Sequence, residues 1–266
     1  MKCKICSSVA KKIFITKILN KYDATYYHCI QCGFLQTEKP FWLEEAYRKP
    51  INISDTGLLS RNLFLAEKTA VLLYFLFNLP GKFLDYGGGY GILTRLMRDF
   101  GFDFYWHDPH VQNLFSKHFE YQENIGNIEL ITSFESFEHF SDPLIEIEKI
   151  INISSNIFFS TIILPSPVPA PEKWWYYAFE HGQHIAFYSV ETLQFIAKKF
   201  SLNFHTNRSN LHLFTKKEID DKYFNRLLRK SERLIRRVKK KLQSKTTDDM
   251  NYVKSLLLEN KNENTI

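Results

Sequence analysis

The stretch "FLDYGGGYGILTRL", residues 83–96, places four glycines in five positions directly behind a short apolar run that ends at Asp85. Glycine loses more conformational freedom on folding than any other residue, so glycines this dense mark a turn that side chains would obstruct. The apolar run, the turn and the amphipathic segment behind it read as strand, loop and helix. A dinucleotide-binding loop needs G-x-G-x-x-G, whose last glycine lets helix and strand pack closely. Counted from Gly87 and Gly89 that position is Ile92, and counted from Gly89 and Gly91 it is Thr94, so the pattern fails in both registers. A P-loop fails too, because no Gly-Lys-Ser/Thr follows. What remains is Asp85-x-Gly87-x-Gly89-x-Gly91, a turn built for some other ligand.

The segments downstream repeat the alternation. "GFDFYWHDPH" reads as a strand ending in Asp108, 23 positions after Asp85, where a neighbouring strand would finish beside the glycine turn. A carboxylate is an acceptor-only group and suits the two hydroxyls of a ribose. "IELITSFESFEHFSDPLIEIEKI" reads as strand, loop and helix, "NIFFSTIIL" as a buried strand, and "LNFHT" and "LHLFTK" as closing strands. Strands alternating with helices predict an α/β protein with a doubly wound, mostly parallel sheet.

All four cysteines fall in the first 32 residues, as Cys3-x-x-Cys6 and Cys29-x-x-Cys32. Two such knuckles about twenty residues apart match a tetrahedral structural zinc site, a zinc ribbon. Two disulfides are the alternative, disfavoured in a chain with no apolar run of signal-peptide length at its start. The longest apolar stretch, "AVLLYFLF" at 70–77, is far short of a membrane span, and the expectation is a cytoplasmic protein.

Together, "YYHCIQCGFLQ", "DTGLLSRN", "FLDYGGGYG", "HDP", "SFESFEHFSDP" and "EHGQHIAFYS" resemble bacterial class I S-adenosylmethionine-dependent methyltransferases that carry an N-terminal zinc ribbon. Relatives of that kind are associated with sugar, polysaccharide and natural-product pathways. The resemblance implies a seven-stranded Rossmann-like sheet and methyl transfer to a small acceptor, a sugar-linked or glycan intermediate. It implies that the backbone at Gly87 and Gly89 approaches the cofactor, that Asp85 orders the turn, that Asp108 holds the ribose and that the backbone of Phe134 touches the cofactor. Arg61 is either the partner of the cofactor carboxylate or a surface arginine at a helix start. A methyltransferase-like scaffold without turnover, or an RNA-modifying enzyme, are the alternatives.

Three residues are candidates for catalysis. His184, in "GQHIAFYS", is similar to a His of deoxysugar C-methyltransferases that takes part in proton removal; Gln183 stands where that motif has Glu. A structural hydrogen-bonding role is the other reading of His184. The block around Glu138 and His139 is similar to one in ubiquinone-pathway O-methyltransferases. With Glu135, these two are expected to form a polar cluster that can hold Mg²⁺ or Mn²⁺. "PSPVPAPEKWWYYAFEH" offers aromatic faces for an acceptor lid, or an aromatic mini-core.

Between positions 222 and 245 there are eleven Lys or Arg against one acid, Glu232, although the whole chain carries a net charge of only +6. Phe224, Leu227, Leu228, Leu234, Ile235, Val238 and Leu242 fall on one helical face. Such a helix can dock on its own domain, join two copies or lie on anionic lipid. A nucleic-acid partner is disfavoured, since the rest of the chain shows no matching basic stripe. The expected organisation is a ribbon over 1–40, a helical lead-in over 41–80, a cofactor-binding domain over 81–216 and a basic helical tail over 217–266.

Overall fold

The computed structural model describes residues 1–48 and 55–263; positions 49–54 of the expected lead-in and 264–266 of the tail lie outside the described residues. The chain opens with two antiparallel strands, β1 (Lys11–Ile18) and β2 (Tyr22–His28), and a short β3 (Leu35–Thr37) beside β2. The helices α1 (Leu43–Ala46) and α2 (Leu58–Leu76) lead into β4 (Lys82–Tyr86), α3 (Ile92–Asp99) and β5 (Asp103–His107). There follow β6 (Ile128–Ser133), α4 (Pro143–Ile153) and β7 (Ile157–Ser160). Then come β8 (Ala186–Phe187), α5 (Val190–Lys199), β9 (Asn203–Thr206) and β10 (Leu211–Thr215). Three helices end the chain: α6 (Asp221–Arg229), α7 (Ser231–Lys241) and α8 (Thr246–Glu263). No described helix is long and apolar enough to cross a membrane.

The main sheet runs β5-β4-β6-β7-β10-β9, with β5, β4, β6 and β7 parallel and β10 antiparallel to both its neighbours. Successive strand residues face opposite layers, and both layers are covered, which is why the strands read as unbroken apolar runs. Phe83, Leu130, Phe158 and Leu213 meet α2, α3, α6 and α7, whereas Leu84, Ile131, Phe159 and Phe214 meet α4 and α5. The expected seven strands are six among the described residues. Beyond β5 a seventh is reduced to one parallel bridge, Trp106 to Glu120. The intervening segment bonds to itself and to the glycine turn instead: Asn113 donates to the carbonyl of Ser116 and to Glu120, and the Ser116 hydroxyl donates to the Gly91 carbonyl.

Two further differences are physical rather than topological. The ribbon sheet is not closed within the first 40 residues, because β8 pairs with β3 and completes a four-stranded sheet β1-β2-β3-β8. The basic helix is divided at Lys230, where the buried ammonium of Lys68 donates to the Leu228 carbonyl (2.8 Å) and the Ser231 hydroxyl (2.7 Å). Its apolar face lies against α2, with Phe224, Leu227, Ile235 and Val238 buried.

Candidate functional site

The glycine turn, the end of β5 and the loops after β6 and β7 all lie at the carboxyl edge of the parallel strands. At Gly87 the backbone has φ +76°, and a Cβ there would meet the Ser136 hydroxyl at 2.6 Å; the turn needs glycine on both counts. Asp85 supports it from beneath. Its carboxyl accepts from Thr132 (2.8 Å) on β6 and Thr94 (3.3 Å) on α3, and burial pushes it up to about 7. Asp85 therefore ties strand to strand and strand to helix beneath the turn. Asp108 closes the turn from the side: one oxygen accepts from the Gly89 amide (2.9 Å), the other from the amides of His110 (2.8 Å) and Val111 (3.0 Å). A carboxylate has about four acceptor sites, so the turn leaves room for a further donor.

Phe134, the first residue after β6, packs edge-on against Phe158. Arg61, near the start of α2, forms a two-point pair with Asp55 (3.1 and 2.5 Å). That pairing gives its guanidinium a protein partner before any cofactor carboxylate arrives.

The polar cluster gains a member beyond those expected. Glu135 sits at φ +51° and turns to Ser160, receiving that hydroxyl at 2.5 Å while its own amide donates to the same oxygen at 2.8 Å. Beside Glu138 and His139 stands His184, and one ligand atom from each of these three lies within 4.8 Å of the others. Glu135 stays close enough for its charge to act on Glu138, but its carboxyl is engaged by Ser160, and His184 is the additional member of the cluster.

Glu138 is wholly buried, and burial, reinforced by the charge of Glu135, pushes its carboxyl up to about 8. Among the described residues neither of its oxygens has a well-formed hydrogen bond; the hydroxyls of Tyr176 and Thr161, near enough to temper the shift, bond each other (3.3 Å). His184 contacts the Tyr176 carbonyl through Nδ1 at 2.7 Å. A carbonyl only accepts, so Nδ1 carries the proton and Nε2 keeps its lone pair. Burial lowers this imidazole to about 4. His139 is held well below its ordinary value by burial and by the neighbouring His184 and His110, and its Nδ1 meets the Tyr47 hydroxyl at 3.0 Å. Both rings are neutral near pH 7.

Tyr47 and Tyr176 are the participants the sequence did not disclose. Tyr47 stacks on His110 and feels the charges of Glu138 and Asp108, so it joins the two halves of the site. Nothing distinguishes it locally from the other tyrosines of the chain. Tyr176 lies in the aromatic run, where the signal was density rather than position. Within that run Trp174, Tyr176 and Tyr177 pack on the ribbon sheet around Tyr26 and Phe187, while Trp175 is 77% exposed.

At the other end of the ribbon, the sulfurs of Cys3 and Cys32 are 3.5 Å apart and those of Cys6 and Cys29 3.4 Å. These are far longer than a disulfide, and all four sulfurs lie within 4.8 Å of one another. Four thiolates about 2.3 Å from one ion would stand about 3.8 Å apart, so the donor set fits tetrahedral zinc.

The strand–glycine turn–helix unit, with an acidic residue closing it from the next strand, defines an α/β cofactor-binding domain. The chain belongs to the methyltransferase-domain family, which matches residues 60–207. Among solved structures it is similar to the plantazolicin methyltransferase BpumL in complex with SAH, at 12% identity over 66% of this chain and 89% of that one, TM-score 0.44. It is similar to TnmH at 12% identity, over 67% of this chain and 62% of that one, TM-score 0.45. It is also similar to human N-acetylserotonin methyltransferase in complex with SAM, at 14% identity over 66% of each chain, TM-score 0.40. No curated protein matches the sequence significantly.

Proposed function

We propose that this chain transfers a methyl group from S-adenosylmethionine to a small hydroxyl-bearing acceptor, with a sugar-linked or glycan intermediate as the favoured class. The observation that carries the reading is that the family match spans the glycine turn, Asp108 and His184, and that all three stand on one sheet edge. The backbone at Gly87 and Gly89, with Asp108 and Phe134, would hold the cofactor, and Arg61 would share its guanidinium between Asp55 and the cofactor carboxylate. Bound there, the cofactor supplies an electrophilic methyl on a good leaving group.

The protein's task is then alignment and removal of one proton. The acceptor oxygen gains the methyl and loses its hydrogen to Nε2 of His184, whose ring the Tyr176 carbonyl holds in the receptive tautomer. The exposed face of Trp175 is suited to a sugar ring. The four cysteines would hold a structural zinc ion, with no position left for substrate.

Calorimetry with S-adenosylmethionine and NAD, then transfer of labelled methyl to a panel of nucleotide sugars, tests the reading. Binding of S-adenosylmethionine and product on a sugar hydroxyl support it. Preference for NAD removes the cofactor assignment; binding without turnover on any acceptor leaves a scaffold.

A further inference from the structure

Glu138 presents a problem that the methyl-transfer reading leaves unsolved. A carboxyl with no exposure and no well-formed hydrogen bond to either oxygen is costly, since burial removes water and little replaces it. Among the described residues no cation pairs directly with it: Arg61 feels its charge, but its guanidinium is paired with Asp55. What stands beside the carboxyl is instead a pair of imidazoles, from His139 and His184.

Both rings are held at Nδ1: His184 donates to the Tyr176 carbonyl, and His139 stands beside the Tyr47 hydroxyl, which would accept its proton once Nε2 is a ligand. Each imidazole therefore has its orientation set by one nitrogen, with the other available to a ligand. An outer partner of this kind is what a metal-bound histidine ordinarily has, because it fixes the ring and raises the basicity of the ligating nitrogen.

We propose that Glu138, His139 and His184 bind one divalent transition-metal ion at the carboxyl edge of the sheet. Three ligand atoms about 2.1 Å from a common ion stand about 3.0–3.6 Å apart. The three atoms lie within 4.8 Å of one another, so a pair at that bound must close by somewhat over an ångström, within the reach of side-chain rotation. Two imidazoles with one carboxylate favour zinc, iron(II) or cobalt(II) over magnesium, which prefers an all-oxygen shell. Three protein ligands leave positions for water or for an acceptor oxygen, so the ion would orient that oxygen and ease the loss of its proton. His184 would then serve as a ligand while the metal is bound, not as the free base.

The test uses the full chain with its ribbon already loaded with zinc, titrated with cobalt(II) alone and without S-adenosylmethionine, so that its outcome is independent of the cofactor assignment. One equivalent of cobalt should bind and give weak visible bands with no thiolate-to-cobalt charge transfer. Glu138→Gln and His184→Gln should each weaken binding at least about tenfold while the ribbon keeps its zinc. In the wild type, proton spectra of the cobalt form should show two strongly shifted, exchangeable imidazole N–H signals. These do not depend on the variants folding. Absence of cobalt uptake, uptake accompanied only by the thiolate band, or absence of both shifted signals overturns the proposal.

Discussion

The hydroxyl of Thr192 donates to the carbonyl of Cys32 at 2.7 Å, joining the second cysteine knuckle to the first turn of α5. The contact is close along its length: a Cβ on Gly33 would meet the Ser189 hydroxyl at 2.2 Å. Ser189 is the N-cap of α5, and β8, the ribbon's fourth strand, directly follows His184 and Ile185. Zinc loss should therefore reach the proposed active site. Cys32→Ser is expected to lower bound zinc from one atom per chain to a small fraction and to reduce methyl transfer. Elemental analysis and a transfer assay on the same preparation check this. Full activity in zinc-free protein would separate the ribbon from the site.

His184 should matter for turnover and not for cofactor affinity. The 2.7 Å contact with the Tyr176 carbonyl specifies one tautomer, and a change to Ala removes both the ring and its lone pair. A positioned general base contributes about 10²–10⁴-fold, so His184→Ala should lose that much in rate with an unchanged dissociation constant for S-adenosylmethionine. Single-turnover rates and calorimetry separate the two. An equal loss in both would make His184 a structural support of the lid.

For Asp108 the expected result is a loss of cofactor binding. Its three backbone acceptor contacts hold the turn, and hydrogen bonds to a charged group contribute about 1.5–3 kcal/mol each. Asp108→Ala should weaken S-adenosylmethionine at least about tenfold. Asp108→Asn, which keeps one acceptor oxygen, should fall between. Equal affinity in all three proteins would place the ribose elsewhere.

Legibility in the sequence followed the range of the interactions. The glycine turn and the strands around Leu84, Ile131 and Phe159 were readable because their pattern is local and both sheet faces are apolar. The meeting of Glu138 with His184 was not, since 46 positions separate them and only the return of the chain through β8 brings them together. The bond from the Ser160 hydroxyl to Glu135 was likewise not legible, since 25 positions separate them and a left-handed backbone turns residue 135. Lys68 reads as a surface residue on an apolar helix, yet it is buried and divides the basic helix in two. Apolar periodicity could show that this helix had a face to bury, but not that α2 would cover it.

Asp85 gives the protein a pH-dependent stability of predictable sign. Its ordinary value is 3.8, and burial raises it to about 7 in the folded chain. Between those values the folded state binds the proton more tightly than the unfolded state, so stability is greatest at the acid end and declines as pH rises toward about 7. Asp85→Asn, which preserves shape and an acceptor oxygen for one of Thr94 and Thr132, should flatten this component. Urea unfolding at a series of pH values, wild type against variant, reads it directly. An unchanged slope would mean that the carboxyl ionises without penalty.

The C-terminal segment should prove part of the folded domain. Arg98 on α3 and Asp249 on α8 form a two-point pair (2.8 and 2.7 Å), with side chains only 5% and 7% exposed. Arg98 also donates to Asp103 and to the Phe104 carbonyl, and its guanidinium lies over the Phe119 ring. Thus α8 is latched to the helix that begins at the glycine turn, and α6 and α7 bury their apolar face on α2. Removing one member of a buried pair costs about 3–5 kcal/mol, because the other charge is stranded. Arg98 keeps Asp103 as a partner, so Asp249→Ala should destabilise toward the lower end of that range, and Arg98→Met combined with Asp249→Leu should recover part of the loss. Truncation after Lys217 should cost more than either, since it also uncovers Leu65, Val71 and Leu72 on α2. Thermal and urea unfolding of the four proteins provides the comparison. A truncated chain as stable as the full one would show that the tail rests on the domain without supporting it.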